Sequence, residues 1–147
     1  MIETLKTTVC KLDGGMKAQA TVREFTINMD EPQELGGSNT AANPVETLLA
    51  ALGGCQVIAA YSFAKSFGIN LEEFRVEVEG DIDTDGFKGK AGVRTGLCEV
   101  RFKIFIKTDA PQEKAEEFVT FVENICPVGD SLKNTVTLNC TDIVIER

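Results

Sequence analysis

The chain has 147 residues, 43% of them hydrophobic and 26% charged, a balance that suits one globular domain over residues 1–147. Its formal net charge of −8 argues against nucleic acid and against anionic membrane surfaces, since both ask for a basic face. With no histidine in the sequence, imidazole acid–base chemistry, histidine triads and the usual zinc sites are excluded, so proton transfer falls to carboxylates, thiols, lysines or water.

The N-terminus opens Met1-Ile2-Glu3, without a basic segment followed by an apolar one, which sets the expectation of a cytoplasmic protein. Leu5, Thr7 and Val9 alternate with polar residues and predict a strand. Asp13-Gly14-Gly15 is a turn signal, after which Met16, Ala18, Ala20 and Val22 alternate with Lys17, Gln19, Thr21 and Arg23. Phe25, Ile27 and Met29 continue as a third strand, and the Pro- and Gly-containing stretch 31–42 is a loop.

A long helix is expected next. Asn43 is a good N-cap, Pro44 suits the first helical position, and Glu46 stands where a capping box places its acid. The helix is expected to run to about Phe67, with Gly68 as its stop. Its apolar residues lie nearly all the way round, which predicts a central core helix, and Gly53-Gly54 predicts close approach of another backbone.

Beyond it, Phe74, Val76 and Val78 alternate with charged residues. Cys98, Val100, Phe102, Ile104 and Ile106 form the apolar face of a further strand. A second helix, capped by Asp109, carries Ala115, Phe118, Val119, Val122 and Ile125 or Cys126 on one stripe. Pro127 ends it or opens a short new one. Val136, Leu138, Ile143 and Ile145 predict a closing strand, with a bulge or turn near Cys140. The order β-β-β, long α, β-β, α, β defines an α+β fold, with an antiparallel sheet packed on the long helix and the second helix.

Five cysteines, Cys10, Cys55, Cys98, Cys126 and Cys140, make an odd count with no CxxC pair, which reads as free thiols. Cys10, Cys98 and Cys140 fall on strand patterns and are expected to be packing residues. No metal or organic-cofactor signature is present.

Asn43-Pro44-Val45-Glu46-Thr47-Leu48-Leu49-Ala50-Ala51-Leu52-Gly53-Gly54-Cys55, the preceding Glu34-Leu35-Gly36-Gly37 loop, and Cys126-Pro127-Val128 at the end of the second helix resemble the OsmC/Ohr family. The resemblance implies an intertwined homodimer with its sites at the subunit interface. It also implies a two-cysteine peroxidase acting on small organic hydroperoxides in oxidative-stress defence. Cys55 would attack the peroxide and become a sulfenic acid. Cys126 would close a disulfide on it, and an external dithiol, of the lipoyl type in this family, would reduce that disulfide. Glu46 is a candidate to orient or deprotonate a group near Cys55, although a capping box also explains it.

Two departures from the family pattern stand out. Peroxidase branches carry Glu directly after Asn-Pro, where this chain has Val45, and Glu46 follows one residue later, about 100° round a helix. They also carry a thiolate-stabilising arginine, whereas no basic residue occurs from Thr26 to Ala42. Lys17, Arg23, Arg94 and Arg101 are the candidates to supply that charge. The pattern is nearest to a third OsmC-like branch. The competing reading is a thiol-bearing protein that binds a small apolar or electrophilic ligand without peroxidase turnover.

Overall fold

A computed structural model describes residues 1–146. The chain divides into two compact units, Met1–Ala51 and Leu52–Arg147. The fold is α+β with antiparallel sheets, as the hydrophobic periodicities require.

The first unit contains three strands, β1 (Thr8–Lys11), β2 (Ala18–Val22) and β3 (Phe25–Met29), in the order β1-β2-β3. Val9 pairs with Ala20, and Ala20 with Ile27, so one apolar row crosses the sheet. Only Ala20 in these strands is buried; Val9, Phe25 and Ile27 are exposed. The first strand begins later than its alternation predicts, because Leu5 has nothing to pack on and is 92% exposed.

Helix α1 spans Pro44–Phe63, and the boundary between the units falls within it. Its start is a reciprocal capping box. The Glu46 N–H donates to Asn43 Oδ1 and the Asn43 N–H to Glu46 Oε2, both at 2.8 Å. Turns follow Phe63 as far as Gly68. By length and apolar composition α1 could cross a membrane, but a buried glutamine and a strand packed against Gly53 fit a core helix instead.

In the second unit, β4 (Leu71–Ile82) and β5 (Leu97–Thr108) form a long antiparallel ladder. Phe74, Val76 and Val78 stand opposite Ile106, Ile104 and Phe102 on one face. Glu77, Glu79 and Asp81 stand opposite Lys103, Arg101 and Glu99 on the other. A short helix α2 (Thr84–Phe87), capped by Asp83, lies in the connection. Helices α3 (Gln112–Ile125) and α4 (Pro127–Lys133) follow. The core gathers Ala59, Ala60, Ala64, Ile69, Phe74, Phe118 and Val122. Phe118 is its centre, fully buried, with the Phe67 ring centroid 5.3 Å away and Phe74 edge-on at 6.5 Å.

Four expectations need correction. Residues 135–146 form no strand; Val136, Leu138, Ile143 and Ile145 are exposed, since an alternating segment becomes a strand only beside another. Helix α1 is buried on one face alone, with Ile58 70% and Tyr61 52% exposed. Asp109 does not cap α3, whose N-cap is Pro111; the Asp109 carboxylate accepts from the Asn70 amide at 3.3 Å instead. Cys10, Cys98 and Cys140 are exposed and do not pack in the core.

Candidate functional site: a thiol pair beside the long helix

The buried face of α1 carries Leu52, Gly53, Gln56, Ala59 and Ala60, spaced as one helical stripe. Gly53 lies against β4: an added Cβ would meet Val78 Cγ2 at 3.3 Å and Val76 Cβ at 3.9 Å. A Cβ on Gly54 would meet nothing within 4 Å, so the close approach expected of the pair belongs to Gly53 alone. Cys55, beside this stripe, is half-buried.

Cys126 comes from the other side of the core. Ala115, Phe118 and Val122 set the inward stripe of α3, and Cys126 continues it at the same spacing, 1% exposed. Pro127 has no N–H to donate and opens α4, so Cys126 becomes the N-cap of that helix. Its Sγ accepts a hydrogen bond from the Gly129 N–H at 3.3 Å. A Cβ on Gly129 would lie 3.6 Å from Leu52 Cδ1, so the α3–α4 corner packs against this part of α1.

This makes the two free thiols neighbours, Cys55 on α1 and Cys126 at the α3–α4 corner packed on Leu52, one turn before Cys55. Burial pushes the Cys126 thiol above its ordinary value, and the neighbouring sulfur of Cys55 pushes it further; the Gly129 and Val128 N–H groups pull the other way. Cys126 therefore carries its proton at neutral pH.

The other candidates are placed as follows. Glu46 is committed to the capping box, so its position is explained by α1 itself. Lys17 and Arg23 belong to the first unit, where the Arg23 guanidinium lies 5.0 Å from the Phe25 ring centroid. Arg101 is held by carboxylates on the charged face of the β4–β5 ladder. It donates to Asp81 at 3.0 Å and Glu79 at 3.3 Å, with Glu99 at 3.2 Å, and it holds Asp81 below the usual carboxylate range. Arg94 is exposed. Among the described residues no group of His, Cys, Asp and Glu is arranged to hold a metal ion.

Two buried polar residues were not singled out by sequence pattern. Asp30, 1% exposed, accepts from the N–H groups of Glu31, Ser38 and Thr40 and from the Thr40 hydroxyl at 2.7 Å, closing the loop that follows β3. Gln56, also 1% exposed, has an oxygen with no hydrogen-bond partner.

A helix carrying one thiol, with a second thiol presented to it by a proline-broken helix, is the arrangement of a dithiol protein. The model of the OsmC-like protein family matches residues 37–141, and the chain belongs to that family. It is 26% identical over 125 residues to a hydroperoxide reductase of Mycoplasma genitalium, covering 84% of each chain. It is 28% identical over 141 residues to organic hydroperoxide resistance protein-like 2 of Staphylococcus saprophyticus, covering 94% of this chain and 95% of the relative. Among solved structures, the OsmC-like protein from Mycoplasma pneumoniae superposes with a TM-score of 0.77 at 22% identity, over 90% of this chain and 89% of the other.

Proposed function

We propose that the protein is a two-cysteine peroxidase for small organic hydroperoxides, serving oxidative-stress defence. The observation that carries this reading is the neighbouring of a half-buried Cys55 and a buried, protonated Cys126 where the α3–α4 corner packs on α1. The relatives named for hydroperoxide reduction and resistance support it.

The Cys55 thiolate attacks the terminal peroxide oxygen and breaks the O–O bond. Cys55 becomes a sulfenic acid and the alkoxide leaves as the alcohol after taking a proton. Cys126, once deprotonated, attacks the sulfenic sulfur; water leaves and a disulfide forms. An external dithiol, of the lipoyl type, reduces that disulfide by two exchange steps and is itself oxidised. The inaccessible Cys126 suits the resolving role, because it meets the oxidised partner without meeting the substrate first. The resident groups need no metal or organic cofactor for these steps. Lys17 or Arg23, from this chain or a second copy, is proposed to stabilise the Cys55 thiolate, and Glu46 to orient the start of α1 through its cap.

The functional form is proposed to be a cytoplasmic homodimer, without nucleic-acid or membrane partners. Ile58 and Tyr61 on α1, and Phe25 and Ile27 on the first sheet, are apolar and uncovered, and a second copy would cover them.

The test is turnover of cumene hydroperoxide with a dithiol reductant. Cys55→Ser is expected to abolish it. Cys126→Ser is expected to give one turnover and accumulate a sulfenic acid. Undiminished turnover in Cys55→Ser sinks the reading. The alternative, a thiol-bearing ligand-binding protein, is favoured by the commitment of Arg101 to carboxylates; it gains if wild type shows no turnover while an apolar ligand raises the melting temperature equally in Cys55→Ala.

A further inference from the structure

A disulfide between Cys55 and Cys126 presents two sulfurs, and a reducing thiolate has a choice between them. Exchange runs in line: the incoming sulfur approaches the attacked sulfur from the side opposite the one that leaves. The attacked sulfur must therefore be open to solvent, whereas the leaving sulfur need not be.

The two cysteines differ in that respect. Cys126 is 1% exposed. It is enclosed where α3 gives way to α4, with the Gly129 N–H 3.3 Å from its Sγ and the Gly129 turn packed on Leu52. Cys55 is only half-buried. The helix is open beside it: Gly54 is exposed, and a Cβ there would meet nothing within 4 Å.

One effect runs the other way. Burial raises the pKa of the Cys126 thiol, and a more basic sulfur is a poorer leaving group. A tenfold change in acidity alters an exchange rate by only about threefold, however, while a sulfur that no thiol can reach is not attacked at all. The Gly129 and Val128 N–H groups also receive the charge that departs on Cys126. Access therefore decides.

We infer that the external reductant attacks the Cys55 sulfur and expels Cys126, so that the mixed disulfide forms on Cys55. This rests on the thiol pair of the reading above and names its point of contact with the reductant. The reductant's thiolate bonds to Cys55 Sγ as the Cys55–Cys126 bond breaks. The electron pair of that bond leaves on Cys126 Sγ, which takes a proton from water. The reductant's second thiolate then attacks its own partner sulfur in the mixed disulfide. Cys55 is released as a thiolate, and the reductant closes its own disulfide.

The test uses the full-length protein carrying Cys10→Ser, Cys98→Ser and Cys140→Ser, which removes the exposed thiols. Diamide oxidises it to the internal disulfide without any peroxide chemistry. Excess N-acetylcysteine is added, the mixture is quenched in acid within seconds, and adducts are located by peptide mass spectrometry. The expected result is an adduct on Cys55 in about tenfold or greater excess over Cys126, with the excess lost when the oxidised protein is first unfolded in guanidinium. An adduct mainly on Cys126, on both equally or on neither overturns the inference. An unchanged ratio on unfolding does the same, because burial would then not be the cause. If the adduct sits on Cys55 but hydroperoxide is not turned over, the peroxidase reading fails and this inference stands. If hydroperoxide is turned over and the adduct sits on Cys126, only this inference falls. If diamide forms no disulfide between the two cysteines, both fall.

Discussion

With three backbone N–H groups and a hydroxyl converging on its carboxylate, Asp30 fixes the loop between β3 and α1. The Thr40 hydroxyl, followed by the N–H donors, holds its pKa at about 2 against the opposing effect of burial. Since the folded chain binds this proton less tightly than the unfolded chain, the ionised form contributes fully above the ordinary value of 3.8. That contribution is lost as pH falls toward 2. Urea midpoints measured down through this range should therefore drop more steeply in wild type than in Asp30→Asn, which starts lower at neutral pH. In the same loop, a Cβ on Gly37 would sit 1.8 Å from the Glu31 carbonyl oxygen, so Gly37→Ala forces the backbone apart. It should cost about 3 kcal/mol or more, read as a shift in the urea midpoint. Asn43→Ala opens the capping box and should cost about 0.5–2 kcal/mol.

Among the elements, α3 offers the clearest test of the core. Phe118 is fully buried against Phe67 and Phe74, and Phe118→Ala should destabilise the protein by roughly 3–5 kcal/mol in chemical denaturation. The α3 stripe was legible in sequence because Ala115, Phe118 and Val122 repeat at helical spacing. So was the start of α1, because Asn43, Pro44 and Glu46 act through neighbours three residues away. The apolar and charged faces of β4 and β5 followed from alternation. What failed depended on distant partners. Val136 to Ile145 alternates like a strand but pairs with no strand among the described residues. Asp30 gave no pattern, because apart from the next N–H its partners are groups of Ser38 and Thr40, eight and ten residues on. Of the site, the two thiols were legible through their motif, whereas the full burial of Cys126 shows only once α3 and α4 are packed.

At the scale of the whole molecule, each unit leaves apolar side chains uncovered, and a second copy is the proposed cover. Gly54 separates that case from a lone protomer. With open space around it, Gly54→Ala should stabilise an isolated chain by about 1 kcal/mol through helix propensity. If copies meet closely along α1, the added methyl should weaken the dimer instead, seen as a higher dissociation constant in sedimentation. Ile58→Asp should give monomers by the same measurement, and wild-type melting temperature should rise with protein concentration. The exposed Ile58 and Tyr61 also bear on how faults in pairing would appear in a cell. If the proposed dimer forms, a newly made chain presents these side chains to chaperones and proteases until another chain arrives. Variants that pair poorly would be cleared rather than persist as slow enzyme, and their defect would be read on an immunoblot as missing protein before any assay of rate could register it.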